Sequence, residues 1–135
     1  MASLGRSSRA KLDTCDPVLI DLLEEAIKVM DFTVVCGHRS HEEQARLFKE
    51  GLSEVDAGHS KHNPYPSQAV DVAPYYKVDK IRWDDIEAMC ILYGIIQGIA
   101  HMKGVAIRWG GDWDGDMDRR DQTFDDVWHI ELEGV

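Results

Sequence analysis

What this chain of 135 residues lacks narrows it first. It has no paired cysteines: Cys15, Cys36 and Cys90 are odd in number and stand apart, with no CxxC spacing. That excludes a disulfide frame or a cysteine-rich zinc knuckle, and the three read as buried or inert thiols of a reducing compartment. It has no long apolar run. The most hydrophobic stretch, Ile86 to Ala100, contains Glu87 and falls short of the roughly 20 residues that a bilayer requires. It reads as a buried core helix, and no membrane insertion is expected. The opening MASLGRSSRAKL lacks the apolar segment of a signal peptide, the basis for expecting synthesis and residence in the cytoplasm. Basic excess is missing too. A formal charge of −10 leaves no surplus of cations to neutralise phosphates, which argues against nucleic acid or an anionic membrane as partner. With no internal repeat and no linker-like stretch, residues 1–135 are expected to form a single domain.

What is present is the profile of a soluble globular protein, 30% charged and 44% apolar. The charge is unevenly placed: the first eleven residues carry only Arg6, Arg9 and Lys11, whereas Asp112 to Asp126 is crowded with aspartates. Asp16-Pro17 has the form of a helix start, and the apolar residues from Val18 to Met30 recur at helical spacing. Phe32 to Cys36 is short and β-branched, a strand. Ser40-His41-Glu42-Glu43 has the form of a capping box opening a helix that Gly51 ends. After a loop rich in glycine, proline and small polar residues come a strand at Ala69 to Ala73 and an apolar helix from Trp83-Asp84 to Lys103-Gly104. Strands at Val105 to Trp109 and Trp128 to Leu132 flank the acidic loop. The order predicts an α+β fold, a small and mostly antiparallel sheet flanked by about three helices.

Three segments carry chemistry. In AVDVA, strand alternation puts Asp71 on the face opposite Val70 and Val72, between two alanines that leave its carboxylate room. A buried carboxylate requires a cation or hydrogen-bond donors; a strand-end aspartate capping a turn is the plainer alternative. In WHIEL, His129 and Glu131 share the face opposite Trp128, Ile130 and Leu132. A lone strand histidine is more often structural than a ligand, but Asp126 lies three residues upstream and His62 nine residues before Asp71. Two imidazoles, one carboxylate and an open position form a recognised catalytic zinc arrangement, whereas structural zinc favours four closed, cysteine-rich ligands.

Ser60-Lys61-His62 followed by Ala69-Val70-Asp71, with Asp126-x-x-His129-x-Glu131 near the end, resembles the D-Ala-D-Ala carboxypeptidase and L-alanyl-D-glutamate endopeptidase family of zinc peptidases. The likeness is greatest to its single-domain phage endolysins. It spans nearly the whole chain, including Asp31-Phe32-Thr33-Val34, Gly37-His38-Arg39-Ser40 and Gly110-Gly111-Asp112-Trp113. The resemblance implies that His62, Asp71 and His129 bind Zn2+, that Asp126 is the general base, and that Arg39 contacts a substrate carbonyl or carboxylate. It implies metal-assisted hydrolysis in which Asp126 takes a proton from water and returns it to the leaving amine. Glu131 is the candidate partner that orients an imidazole, or else a solvated strand carboxylate. Asp125 competes with Asp126 for the role of base; spacing favours Asp126. Two departures stand out: the interval from His62 to Asp71 is two residues longer than the family's, and Ser67 replaces a frequent glycine. Pro64 and Pro66 lie where a loop bulge would absorb the extra length.

The substrate implied is the stem peptide of bacterial peptidoglycan, cut at the L-Ala–D-Glu bond by a monomeric enzyme. It would act from the host cytoplasm after a separate membrane-permeabilising protein gives access to the wall. A D-Ala-D-Ala carboxypeptidase is the alternative within the same chemistry, and a non-catalytic, metal-containing wall-binding module the alternative outside it. The aspartates of Asp112 to Asp118 open like an EF-hand loop, but Met117 stands at the turn glycine and Thr123 at the terminal glutamate. They read as a solvated acidic loop, with a looser Ca2+ site as the alternative. His38, His41, His59 and His101 are expected at the surface or at helix ends. Trp109 and Trp128 are expected in the core, and Trp113 is the candidate to line a groove.

Overall fold

The computed structural model describes residues 2–53, 55–121 and 126–134, with Asp121 described by its backbone alone. Helix α1 spans Arg6–Leu12, α2 Pro17–Ala26, α3 His41–Lys49 and α4 Ile86–Met102; strands β1 to β4 span Phe32–Cys36, Ala69–Pro74, Ile107–Trp109 and His129–Leu132. A 3-10 turn occupies Arg119–Asp121. The strands form one sheet in the order β1-β2-β4-β3, with every neighbouring pair antiparallel. The α+β expectation holds, with one more helix than the apolar periodicity shows.

Local chemistry sets the boundaries. Asp16 accepts a hydrogen bond from the Val18 N–H and Pro17 occupies the first turn, where its missing N–H costs nothing. Ser40 Oγ accepts from the Glu43 N–H at 3.0 Å, starting α3 as the capping box requires. Asp85 caps α4 through the Ala88 N–H, and Gly104 follows its end at a φ of 70°, in the left-handed region that favours glycine.

The apolar face of α2 (Leu19, Leu22, Leu23, Ala26) packs against that of α4 (Met89, Leu92, Ile96, Ala100), and α4 covers one face of the sheet. Phe32, Val34, Val70, Val72, Ile130 and Leu132 fill the layer between. Gly94 and Gly98 do not mediate helix packing: both face outward, and a Cβ at either would meet nothing. Helix α1 packs on β1, where the Ser8 hydroxyl accepts from the Val34 N–H at 2.9 Å and pairs with Thr33 Oγ1 at 2.9 Å. With one face of the sheet buried, the polar residues of alternating register are left to line the other.

Candidate metal centre

On that second face Asp71 and His129 are direct register partners across β2 and β4. His62 reaches them from the loop before β2, which is pinned to the connection between β1 and α3: the Arg39 N–H donates to His62 O at 2.8 Å and Asn63 Nδ2 donates to Arg39 O at 3.0 Å. Ser60 Oγ accepts from the His62 N–H, which gives the serine of the Ser-x-His motif a physical purpose. Ser67 is fully buried, with its hydroxyl donating to Ala69 O at 2.6 Å. Pro64, Tyr65 and Pro66 are exposed, so the extra length between His62 and Asp71 bulges toward solvent.

The three side chains converge. His62 Nε2 lies 3.1 Å from Asp71 Oδ1 and 3.2 Å from His129 Nδ1, and His129 Nδ1 lies 3.2 Å from the same Asp71 oxygen. A tetrahedral ion with bonds of about 2.0–2.1 Å spaces its ligands by about 3.3 Å, so the triangle fits a zinc-sized cation. Second contacts fix which nitrogen faces it. His62 Nδ1–H donates to Gly37 O at 2.7 Å and His129 Nε2–H to Glu131 Oε1 at 2.8 Å, leaving His62 Nε2 and His129 Nδ1 as acceptors. Gly37 is required there, since a Cβ would strike Lys11 O and Thr14 Oγ1.

The electrostatics are those of a cation site. Burial opposes charge on His62, yet the charge and hydrogen bond of Asp71 lift it to about 10. Burial works against the Asp71 carboxylate, but the two imidazoles hold it well below the usual range. Burial opposes charge on His129 as well, and its bonds to Asp71 and Glu131 raise it. Glu131, opposed by burial but bonded to His129 and Arg108, is pulled down to about 2.

Asp126 shows the reverse behaviour: burial, and then the charge of Asp71, push its carboxyl upward. It is placed by a turn in which the His129 N–H donates to Asp126 O at 3.1 Å, while Asp126 N–H donates to Gly110 O at 2.9 Å. A Cβ at Gly110 would collide with the Asp126 backbone, so that glycine permits the approach. Asp125 lies outside the described residues.

Arg39 Nη2 stands 3.7 Å from Asp71 Oδ2, and its Nη1 donates to the buried Gln44 Oε1 at 2.9 Å. All six residues singled out from the sequence (Arg39, His62, Asp71, Asp126, His129 and Glu131) line one cavity of about 670 Å³. Trp113 lines it as well, tilted over His129 at 5.6 Å between ring centres. Trp109 is buried, while Trp128 is half-buried under an edge-on contact from the exposed Trp83. Among the spare histidines, His59 lines the cavity and His38 bonds Asn63 O.

Sequence reasoning missed several neighbours. Cys36, read as inert, has a ligand atom within 4.8 Å of those of His62 and Asp71, and although burial raises its thiol, its contact with His62 draws it down overall. Cys15 fits the inert reading, pushed up to about 12 by burial. Lys61 and Arg108 also enter the cavity, and only strand pairing could have revealed Arg108.

The acidic loop departs from a plain solvated one. Asp112 is buried, its Oδ2 accepts from the Met117 N–H at 2.9 Å, and among the described residues its Oδ1 has no hydrogen-bond partner. Carboxylate oxygens of Asp112, Asp114 and Asp116 lie within 4.8 Å of one another, and Met117 adopts a φ of 66°. Thr123 lies outside the described residues.

Fold and cleft together define the class: a small α+β protein with a candidate single-metal centre on the open face of an antiparallel sheet. The family profile of phage L-alanyl-D-glutamate peptidases matches residues 1–133. The chain is 32% identical to the L-alanyl-D-glutamate peptidase of Escherichia phage T5 over 135 residues, 95% of this chain and 96% of that one. Its fold matches the crystal structure of the L-Ala D-Glu endopeptidase ChiX of Serratia marcescens, with a TM-score of 0.79 and 23% identity over 98% of this chain and 90% of the other. The chain belongs to the phage L-alanyl-D-glutamate peptidase family.

Proposed function

We propose that the chain is a zinc-dependent endopeptidase in which His62, Asp71 and His129 hold the ion and Asp126 is the general base. The bond follows from the family: the chain is a peptidoglycan hydrolase cutting between L-alanine and D-glutamate of the stem peptide. The machinery rests on one observation above all, the triangle of two imidazole nitrogens and one carboxylate oxygen with edges of 3.1–3.2 Å.

Zinc held there supplies Lewis acidity, polarising a carbonyl and acidifying water. Asp126, its carboxyl raised by burial and by Asp71, takes a proton from the attacking water and returns it to the leaving amine. Arg39, held by Gln44 beside Asp71, faces the oxygen on which negative charge develops. Gly37 O and Glu131 keep both imidazoles in the ligating tautomer.

The same reading has the chain act as one catalytic domain and as a monomer, reaching the wall from the host cytoplasm once a separate membrane-permeabilising protein gives access. Among the described residues no helix is long and apolar enough to cross a membrane. For the Asp112–Asp118 loop the alternative to a solvated loop is a Ca2+ site, and the buried Asp112 oxygen that has no hydrogen-bond partner among the described residues is what supports it. Calcium should then raise the thermal midpoint, and Asp112→Asn should abolish that rise; a midpoint indifferent to calcium refutes the site.

Mass spectrometry of digested peptidoglycan tests the main reading. New N-terminal D-Glu ends that disappear on chelation support it. Release of free D-alanine would make the chain a carboxypeptidase. An intact wall with zinc-loaded protein would leave the non-catalytic binding module.

A further inference from the structure

The cavity of this acidic protein is lined by three cations, and they are not equivalent. Arg39 is 16% exposed in its side chain and is bonded to Gln44, Cys36 and Asp71. Lys61 Nζ donates to Leu132 O at 2.6 Å and stands 3.5 Å from Glu131. The Arg108 side chain is 44% exposed and, among the described residues, makes one hydrogen bond, from Nη2 to Glu131 Oε2 at 3.0 Å. Its guanidinium stands 5.2 Å from the centre of the Trp113 ring, which helps hold it at the cavity wall.

Glu131 therefore meets two cationic side chains while also accepting from His129, so one carboxylate is shared between Lys61 and Arg108. Register places this charge beside the candidate metal ligand His129. Arg108 pairs with Glu131 across β3 and β4, and Glu131 lies two residues beyond His129 on the same face. On the substrate side, glutamate has two carboxyl groups and the peptide continues through one. The other remains an anion on the residue that supplies the scissile nitrogen.

We propose that Arg108 is a specificity-determining residue, its guanidinium binding the free carboxylate of the glutamyl residue on the leaving side of the cut bond. A guanidinium prefers a carboxylate to a carboxamide because only the former accepts charge-assisted, two-point hydrogen bonds. The inference rests on the endopeptidase reading and adds the group that this enzyme demands of its substrate. A merely structural Arg108, steadying Glu131 behind His129, would change metal affinity and kcat without discriminating acid from amide.

The test uses zinc-loaded protein and two synthetic L-alanyl-D-glutamyl stem peptides, alike except that the free carboxyl is an acid in one and a carboxamide in the other. Wild type should favour the acid in kcat/KM by about tenfold or more, chiefly through KM. Arg108→Gln should collapse that ratio toward unity, and Arg108→Lys should restore part of it, with zinc content measured for each. Equal cleavage of both peptides by wild type overturns the inference while leaving the endopeptidase reading intact. So does a ratio that survives in Arg108→Gln. If wild type cuts neither peptide at the L-Ala–D-Glu bond, the endopeptidase reading falls and the inference falls with it.

Discussion

Two aspartates in one cavity are pushed in opposite directions, and that separation assigns their roles. Asp71 is held ionised by two imidazoles, as a ligand should be, whereas burial and the charge of Asp71 raise Asp126. A raised carboxyl loses its basic form at a higher pH than usual as acid is added. In the metal-free protein the Asp126 carboxyl should therefore titrate above the ordinary aspartate value of about 3.9, which an NMR pH titration checks; a value at or below it would contradict the burial argument. Asp126→Ala should lower kcat by about 10²–10⁴-fold while zinc remains bound; a variant of full activity would remove Asp126 from the mechanism. Glu131→Gln keeps the shape but weakens the acceptor for His129 Nε2, and zinc affinity should fall by about 10–100-fold in a competition titration. Unchanged affinity would reduce Glu131 to a partner of Arg108 and Lys61. At this scale the sequence was informative where a motif is local, as in Ser60-Lys61-His62 and Asp126-x-x-His129. Cys36 and Arg108 carry no local signal, because they join the site only through the pairing of β1 with β2 and of β3 with β4.

Helix α3 contributes one buried side chain of consequence. Gln44 Oε1 accepts from Arg39, and Gln44 Nε2 donates to Ser53 Oγ at 2.8 Å and Val55 O at 2.7 Å, so one amide ties the arginine to the wall formed by the loop after α3. Gln44→Ala should cost about 1–3 kcal/mol of stability, since it strands buried polar groups, and should lower kcat more than it raises KM, because the arginine it holds acts on charge that develops in the transition state. Thermal unfolding and steady-state kinetics on one preparation check both; an unaltered kcat would detach α3 from the placement of Arg39. Element boundaries were legible where capping chemistry is explicit, at Asp16-Pro17 and at Ser40 with Glu43. Helix α1 was not, because its seven residues bury only Ser8 and Leu12 and leave no apolar stripe to read. Its anchor is the Ser8 hydroxyl, which answers to a strand 25 residues away.

Across the whole molecule, an acidic chain gathers two imidazole nitrogens and one carboxylate oxygen, those of His62, His129 and Asp71, at one point of its cleft, with edges of 3.1–3.2 Å that suit a metal ion. Sequence pattern sufficed for the α+β class and for one buried sheet face, since alternation in AVDVA and HIEL sorts core from cleft. It did not reveal the sheet order β1-β2-β4-β3, which depends on pairings between distant segments. Without metal, His62 keeps its proton up to about 10, so an entering ion must displace a proton at neutral pH. Zinc binding should thus release protons near pH 7 and tighten as pH rises, and at about 100 times Kd it should add about 2.7 kcal/mol of stability. The most direct test of the account is a zinc titration of metal-free protein, with thermal midpoint and appearance of N-terminal D-Glu ends followed together. Both signals should rise in parallel and saturate at one equivalent of zinc. Full cleavage by the metal-free protein, or a midpoint that ignores zinc while cleavage proceeds, would contradict a catalytic centre built from His62, Asp71 and His129.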